Sequence, residues 1–373
     1  MELQINDYEK VKGLFNEFEH HISVRGVLEG YVPGRVFSYK DYSSAVIINA
    51  QGIFLGGAYE NHSFFQEMNE VVKNDILCKL AEEDTVDYVV FYSEEASAEI
   101  AINCMFEGCD PMKSLRMVYS NDMSNISGEL AQCIRQVDKQ LLNSTDMPGL
   151  DGVIEEIQGN WRSVDEFLVK GFGCVAVKDD EIIGWCLTDW VVGEDCEIGI
   201  ETYPDYRNQG YGRQMTLGTL LLAKQKGIKR TGWQCWYDNE GSINTAKASG
   251  FELLKEFHVY FGWTNPLNNM LINGNYYMLG KAVAGILPDY ERSAESYAKA
   301  LDEGWDWGGY SVLYWNCACM YYKAGQEQKA VHYYKIAVEK GWNGIEPHLM
   351  NPFVYKNEDW MDITAELDQK TRG

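Results

Sequence analysis

The fold of this chain is decided by the stretch Thr202-Tyr203-Pro204-Asp205-Tyr206-Arg207-Asn208-Gln209-Gly210-Tyr211-Gly212-Arg213. A strand-like segment precedes it, and a segment with helical spacing follows it. Glycines at 210 and 212 allow backbone N–H groups to approach one anion without a Cβ in the way. The first turn of the following helix adds unpartnered N–H groups and the positive end of its dipole. The stretch therefore predicts a cradle for a diphosphate.

Three kinds of phosphate-binding loop share this layout. A dinucleotide-binding fingerprint needs a third glycine where Met215 stands, and an acidic residue about twenty positions on, where the chain has Lys-Arg-Thr at 229–231. A P-loop needs Gly-Lys-Ser/Thr, which the sequence lacks. The remaining pattern is Arg-x-x-Gly-x-Gly, at Arg207, Gly210 and Gly212. A glycine turn before a helix is also common where nothing binds, so this motif alone leaves a structural interpretation open.

Downstream residues supply the context that the motif needs. Asn239 opens a short predicted helix, and Gly250-Phe251 ends it. The order strand, glycine loop, helix, strand, Asn, helix, Gly-Phe resembles the coenzyme A-binding half of the GNAT N-acetyltransferase superfamily. The run Glu197-Ile198-Gly199-Ile200-Glu201-Thr202 with Tyr206-Arg207, and the region of Trp233 and Asn239, resembles more narrowly the family of the zwittermicin A-resistance acetyltransferase.

The resemblance implies an α/β (α+β) GNAT acyl-coenzyme A N-acyltransferase fold. It divides the chain into a divergent N-terminal α/β half at 1–125, a connecting helix or linker at 126–149, and a GNAT acetyltransferase domain at 150–265. It also implies acetyl-coenzyme A (acetyl-CoA) as the cofactor. The residues predicted to hold this cofactor are Thr202, Arg207, Asn208, Gln209, Gly210, Tyr211, Gly212, Arg213, Asn239 and Ser242.

The tail at 275–373 is predicted to form tetratricopeptide-like helical repeats with a capping segment. Four residues recur 36 positions later: Ala282, Ala294, Tyr297 and Lys299 return as Ala318, Ala330, Tyr333 and Lys335. Each copy then ends in Gly-Trp, at 304–305 and 341–342. The period is close to that of tetratricopeptide repeats. Two repeats leave apolar faces open, so we expect 343–360 or the transferase unit to cap them.

Apolar periodicity predicts the remaining elements. Helices are predicted at 7–21, 64–80, 96–106, 163–170, 212–226 and 242–249, and a helix through Leu130, Ile134, Val137 and Leu141 in the polar segment 121–145. Strands are predicted at 44–58 with a turn at Gln51-Gly52, and at 88–92, 115–119, 174–177, 182–187, 197–202 and 233–237. The segment 251–263 is predicted to be a final strand or a hairpin.

Charge and cysteine usage limit the function. The net charge of −24, from 32 basic and 56 acidic residues, argues against nucleic-acid binding and favours a cationic ligand, although it also serves solubility. The cysteines form no CxxC pairs, so we predict no metal and reduced thiols in the cytoplasm. The N-terminus has no signal-peptide pattern, and no apolar run is long enough to cross a membrane.

Acetyl transfer to an amine needs a base, because an alkylamine with a pKa of ~10 is charged at neutral pH. In the strand before the loop, Glu197 and Glu201 alternate with apolar residues and point to one face. In GNAT enzymes this strand borders the acceptor pocket, so either glutamate is a predicted base, or a structural carboxylate. Asp189 and Asp195 are weaker candidates that would hold a cationic substrate.

The acid that protonates the leaving thiolate has more than one candidate. Many GNAT enzymes place a tyrosine where this chain has Ala246. Tyr237 or Tyr203 serves instead, or the thiolate leaves unaided. We predict Tyr237 in this role.

The predicted function is acetyl transfer from acetyl-CoA to a primary amine of a small cationic metabolite or antibiotic, such as an aminopolyol. Two alternatives belong to other classes. One is a coenzyme A-binding regulatory module whose repeats dock a protein, and the other is a protein acetyltransferase recruited by its repeats.

Overall fold

The computed structural model describes residues 1–77, 88–93, 98–108, 110–144, 146–280, 287–303, 311–343 and 359–372. The chain forms two compact units. The first comprises Met1–Phe64, Val90–Glu99 and Leu115–Val259, and the second comprises Phe65–Val89, Ile100–Ser114 and Tyr260–Gly373. Both sides of the expected boundary near 125 therefore belong to the first unit.

The strands are β1 (Arg35–Ser38), β2 (Ser44–Asn49), β3 (Gly52–Gly57), β4 (Tyr88–Tyr92), β5 (Met112–Asn121), β6 (Ile134–Gln136), β7 (Gly173–Lys178), β8 (Glu181–Val192), β9 (Asp195–Thr202), β10 (Arg230–Trp236) and β11 (Glu252–Trp263). Within the described residues they pair in the order β1-β2-β3-β4-β11-β5-β10-β9-β8-β7-β6. The pair β9–β10 is parallel, whereas β7–β8 and β8–β9 are antiparallel. The sheet is mixed and is combined with α-helices, which confirms the predicted α/β (α+β) fold class.

The α-helices are α1 (Ile22–Leu28), α2 (His62–Val71), α3 (Ala98–Met105), α4 (Lys139–Leu142), α5 (Leu150–Asn160), α6 (Val164–Lys170), α7 (Tyr211–Gln225), α8 (Glu240–Ala248), α9 (Pro266–Leu279), α10 (Tyr290–Asp302), α11 (Ser311–Lys323), α12 (Glu327–Glu339) and α13 (Asp359–Arg372). Ser163 caps α6 by accepting a hydrogen bond from the Glu166 N–H, as predicted. Gly227, with φ of 82°, ends α7 as predicted.

The sheet of the first unit buries both of its faces, and β7 shows this by alternation. Cys174 and Ala176 join a core cluster with Met215 and Leu220 of α7. Val175, one residue on, joins a second cluster with helices α5 and α6. Because side chains alternate along a strand, the continuous apolar run of β7 contributes to the core clusters on both faces of the sheet. This arrangement fixes which face of β9 remains for polar groups.

One predicted helix takes the 3₁₀ form, and another is wrong. Over 7–21 the chain forms two 3₁₀ helices, Ile5–Lys10 and Lys12–Phe18, and the α-helix begins only at Ile22. Phe15 and Phe18 are both buried, and the non-helical backbone angles of Phe15 (φ −110°, ψ 19°) kink the second of these helices. Over 121–145, the predicted helix is instead strand β6 followed by the short α4. Ile134 lies opposite Ala176 of β7, and this sheet pairing overrides helical spacing.

The helix predicted at 64–80 is α2, followed by a π-helical turn at Val72–Leu77, and 78–80 lie outside the described residues. The other predicted elements are present within a few residues of their expected bounds.

The second unit contains helices α9 to α13 around their own core. The repeat residues Ala294, Ala318 and Ala330 are fully buried, as close helix packing requires. Ala282 and Gly304-Trp305 lie outside the described residues, as does most of the expected capping segment. No described helix has the length and apolar character needed to cross a membrane.

Candidate active site

Glu197 lies in the middle of the polar face of β9. Its neighbours Cys196 and Ile198 turn to the opposite face and pack in the core with α7. Glu197 itself is 4% exposed, although it carries a carboxyl group. Burial raises the pKa of Glu197 to about 7, against a hydrogen bond from Gln234 and the charge of Arg116, which both lower it. A carboxyl group with this pKa exchanges a proton near neutral pH.

Gln234 of β10 is the hydrogen-bond partner of Glu197. Its Nε2 donates to Oε2 of Glu197 over 3.1 Å. Arg116 of β5 lies nearby, with its guanidinium 4.9 Å from the centre of the Trp236 ring. Gln234 alternates with the core residues Trp233 and Cys235, and Arg116 pairs with Trp236, two residues further along β10. Both side chains therefore share the face of Glu197, which pairs with Gly232. Three adjacent strands therefore build one polar site.

Asp189 extends this site from β8. Thr188 pairs with Ile198 and Trp190 pairs with Glu197, so Asp189 is the extra residue of a β-bulge. Burial raises the pKa of Asp189 well above its ordinary value, and the negative charges of Glu156 and Glu197 raise it further. The Gly199 N–H donates to this carboxylate and partly offsets both effects.

Glu156 of α5 and Glu201 of β9 complete a group of four carboxyl groups. Burial raises the pKa of Glu156, and the charge of Glu201 adds to this, while a 2.9 Å hydrogen bond from Asn160 opposes it. Glu201 is exposed. Within the described residues no three His, Cys, Asp or Glu side chains are arranged to hold a metal ion. Burial raises the pKa values of Glu197, Asp189 and Glu156, so these three would ionise more readily with a cation beside them.

β9 and β10 separate just beyond Glu197. Their ladder has three pairs, the last of which joins Glu197 to Gly232. Further on, β9 pairs only with β8 and β10 only with β5, within the described part of the sheet. One edge of each strand is thus left with backbone groups that no neighbouring strand uses, next to the carboxyl groups.

The glycine loop opens α7 from the end of β9. Gly210 is the N-cap, with φ of 86° and ψ of −3°, a left-handed conformation that strains any residue with a Cβ. A Cβ there would meet no atom within 4 Å, so backbone conformation alone demands glycine. The N–H groups of the first helical turn have no acceptor inside the helix. Binding of a diphosphate at this turn stays a prediction.

Two side chains of the glycine loop donate hydrogen bonds to backbone carbonyl groups of the same segment. Arg207 donates from Nε to the Thr202 carbonyl over 2.8 Å, and Gln209 donates from Nε2 to the Asp205 carbonyl over 3.0 Å. Asn208 also has a positive φ, of 61°. These bonds brace the turn while its N–H groups stay at the surface.

Asn239 and Ser242 have structural partners. The Asn239 side chain caps α8 by accepting a 3.0 Å hydrogen bond from the Ser242 N–H. The Ser242 hydroxyl accepts a 3.0 Å bond from Nε1 of Trp233. Contact of either residue with the cofactor stays a prediction.

The tyrosines considered as acids lie at different places. Tyr237 is half-buried at the end of β10, where its N–H donates to the Leu115 carbonyl. Tyr203 donates its hydroxyl hydrogen to the Gly149 carbonyl over 3.1 Å, and burial raises its pKa. Ala246 is fully buried in the core, as a residue without polar atoms can be.

Arg213 is exposed beside a cleft of about 720 Å³ next to α7. Lys247 of α8 lines the same cleft. Both cations line this cleft, and Arg213 stands in the first turn of α7.

Sequence reasoning missed Gln234, Arg116, Glu156 and His21. Gln234 and Arg116 stand at alternate positions of apolar strands, and this position was the available signal. Glu156 resembles any exposed helical glutamate in sequence. His21 is fully buried, and its Nδ1 lies 3.2 Å from Nε2 of Gln234, a pairing across more than 200 residues.

The sequence and the fold of this chain are similar to those of known acetyltransferases. The sequence profile of the GNAT acetyltransferase family matches residues 12–260. An uncharacterized N-acetyltransferase of Bacillus subtilis is 20% identical over 268 residues, which is 70% of this chain and 97% of the relative. A GCN5-related N-acetyltransferase-like protein of Streptococcus suis shares the fold, with a TM-score of 0.50 and 17% identity over 69% of this chain and 98% of that one. Because the profile spans well over half of its length, the chain belongs to the GNAT acetyltransferase family and is an N-acetyltransferase.

Proposed function

We propose that the chain transfers the acetyl group of acetyl-CoA to a primary amine of a small cationic molecule. The observation that carries this proposal is the polar face of β9, where Glu197, Asp189, Glu156 and Glu201 influence one another electrostatically. Burial and mutual repulsion raise the pKa values of three of these carboxyl groups, so an ammonium group bound among them would relieve that repulsion and favour their ionised forms. The net charge of −24 adds long-range attraction of the same sign.

Enzymes of this family generally use acetyl-CoA, which supplies the acetyl group as a reactive thioester. In this chain the N–H groups at 211–213 would hold its diphosphate, with Gly210 setting the turn. Arg213 and Lys247 would add positive charge. The unpaired edges of β9 and β10 offer hydrogen-bond partners to an amide-bearing arm, as a sheet edge offers them to an added strand.

Glu197 is the proposed base. An acceptor amine must lose a proton before it attacks, and a general base is most effective when its pKa lies near the working pH. The pKa of Glu197, at about 7, meets that condition. Glu201 is exposed on the same face and is the second candidate. Tyr237 is the proposed donor of a proton to the leaving thiolate.

The other carboxyl groups give the acceptor its proposed chemistry. Asp189 and Glu156 lie beside the base and suit further ammonium or hydroxyl groups of the same molecule. Amines with several such groups include polyamines, aminoglycosides and aminopolyol antibiotics. The resemblance to the zwittermicin A-resistance family favours the aminopolyols, and with them a role in antibiotic resistance.

The helices of the second unit are proposed to form tetratricopeptide-like repeats. The burial of Ala294 and of its counterpart Ala330 supports this. Repeats of this kind dock proteins, which keeps a protein acceptor as the second candidate function. The described cysteines carry free thiols, in keeping with the proposed cytoplasmic location.

An amine panel tests the proposed function. Polyamines, aminoglycosides and aminopolyols are incubated with acetyl-CoA, and thiol release and product mass are measured. We expect turnover with at least one amine that carries several positive charges. The variant Glu197→Gln should lower kcat/KM by about a hundredfold or more, because it removes the base.

Glu194→Gln is the matched control. Glu194 lies on the surface just before β9, where it pairs with Lys229, so its loss should leave turnover unchanged. Absence of turnover with every amine of the panel, combined with acetylation of a protein partner, would move the proposal to the second candidate.

A further inference from the structure

His21 joins the N-terminal part of the chain to the site around Glu197. It is the N-cap of α1 and is fully buried. Its ring packs against four aromatic rings at centroid distances of 5.1 to 5.8 Å, from Phe18, Phe54, Tyr92 and Phe257. Such packing holds the imidazole in one orientation.

The amide of Gln234 lies between His21 and Glu197. Its Nε2 is 3.2 Å from Nδ1 of His21 and 3.1 Å from Oε2 of Glu197. An amide nitrogen carries two hydrogens, so one can go to each neighbour. His21 must then accept at Nδ1, which makes it the neutral imidazole with its hydrogen on Nε2.

A neutral His21 and the Glu197 carboxylate favour the same orientation of the Gln234 amide. A neutral Nδ1 acceptor selects the orientation in which nitrogen faces both neighbours. An imidazolium would be a donor at Nδ1 and would favour the amide oxygen on that side. The oxygen would then also face Oε2 of Glu197, and two acceptors repel each other.

The groups around His21 keep it neutral. Burial lowers the pKa of His21, and the charges of His20, Arg116 and Lys255 lower it further, while a hydrogen bond with Gln51 opposes them. On the other side of Gln234, Glu197 faces Arg116 and Asp189, and Asp189 faces Glu156. None of these groups competes for the second hydrogen of the Gln234 amide in the geometry observed.

We propose that His21 is a positioning residue that fixes the amide of Gln234 so that it donates to Glu197 and holds that carboxylate in place. The chain His21–Gln234–Glu197 makes the N-terminal part of the protein a component of the site. Its catalytic consequence rests on the proposed function of Glu197, but the hydrogen-bond chain itself does not.

Variants of His21 distinguish the effect of losing its hydrogen-bond acceptor from the effect of disturbing its aromatic packing. His21→Phe keeps an aromatic ring and removes the acceptor, whereas His21→Asn keeps an acceptor near the position of Nδ1. Gln234→Leu removes the donor to Glu197. Phe18→Leu is the control, because it disturbs the aromatic packing around His21 without touching either hydrogen bond.

The readout is the titration of the Glu197 carboxyl carbon by NMR in protein without ligands, assigned with Glu197→Gln. Losing the donated bond should raise the titration midpoint by about one pH unit in Gln234→Leu and in His21→Phe. His21→Asn should titrate as the wild type does, and Phe18→Leu should lower thermal stability without moving the midpoint. His21→Phe should add nothing in the Gln234→Leu background.

An unchanged midpoint in His21→Phe, or equal and additive shifts in the double variant, would overturn the positioning role. Acetylation is measured separately. If the proposed function holds, His21→Phe should lower kcat about tenfold with little change in the KM for acetyl-CoA, and His21→Asn should restore it. A moved midpoint together with full activity of Glu197→Gln would leave the positioning intact and refute Glu197 as the base.

Discussion

Oδ1 of Asp189 lies 2.7 Å from the position that a Cβ would take on Gly199. That distance is shorter than any real Cβ contact, so the carboxyl group and a side chain at 199 cannot coexist in this arrangement. Glycine at 199 therefore makes room for the bulged Asp189 beside Glu197. The absence of a side chain at Gly199 is thus part of what forms the site around Glu197.

The variant Gly199→Ala should displace the Asp189 carboxyl group and weaken its hold on a cationic acceptor. Losing one hydrogen bond to a charged group corresponds to a rise of about tenfold or more in the KM for the amine. Steady-state kinetics at varied amine concentration measure it. Gly159→Ala is the control, because a Cβ in that part of α5 meets no atom within 4 Å. An unchanged KM in Gly199→Ala would remove Asp189 from the acceptor site.

Glu197 should make the stability of the fold depend on pH. Its pKa is raised from 4.5 to about 7, so the folded chain keeps a proton that the unfolded chain releases earlier. The contribution of this proton to the free energy of unfolding is fully present below about pH 4.5 and is lost as the pH rises through about 7. The free energy of unfolding changes by about 3 kcal/mol as a result.

Glu197→Gln cannot ionise and should therefore be more stable than the wild type at about pH 8, with the advantage shrinking toward about pH 5. Urea unfolding at both pH values measures the difference. Glu194→Gln should show no such trend. An advantage that does not depend on pH would mean that Glu197 is not a buried, titrating group.

Gly210→Ala should weaken binding of acetyl-CoA. A left-handed residue with a Cβ costs about 1–2 kcal/mol, and relief of that strain would turn the N–H groups away from the cradle. Gly227→Ala imposes the same backbone cost, because φ is 82° there, but at the other end of α7. Calorimetry should show reduced affinity in the first variant only, while both lose stability. Equal affinity in the two variants would place the cofactor elsewhere.

Two variants of Asn239 distinguish its role as the cap of α8 from its predicted contact with the cofactor. Asn239→Ala should destabilise the fold by about 1 kcal/mol, because the cap on α8 is lost. Asn239→Asp keeps the oxygen that accepts from the Ser242 N–H and should restore stability. If Asn239 also contacts the cofactor, the aspartate, with a negative charge and no amide donor, will not restore affinity for acetyl-CoA. Recovery of both properties in Asn239→Asp would leave Asn239 with the capping role alone.

Local sequence was sufficient for the elements around the glycine loop. Gly210 and Gly227 flank α7, and both have a positive φ. Glycine adopts a positive φ without strain, so the residue type alone was enough to predict both ends of the helix. Side chains alternate between the two faces of a strand, so the apolar neighbours of Glu197 were enough to predict the face of β9 on which it lies. Local sequence failed at 134–136, where pairing with β7 turned a helix-like apolar pattern into a strand.

What the sequence by itself determined is the order of elements, the glycine turn and the family to which they belong, because these depend on residues close together along the chain. Only the tertiary structure decided which side chains meet Glu197. His21, Gln234 and Asp189 come from separate elements, and their pairing depends on sheet order, on a bulge and on burial. The pKa of Glu197 follows from that burial, so no local pattern could have distinguished this glutamate from Glu201.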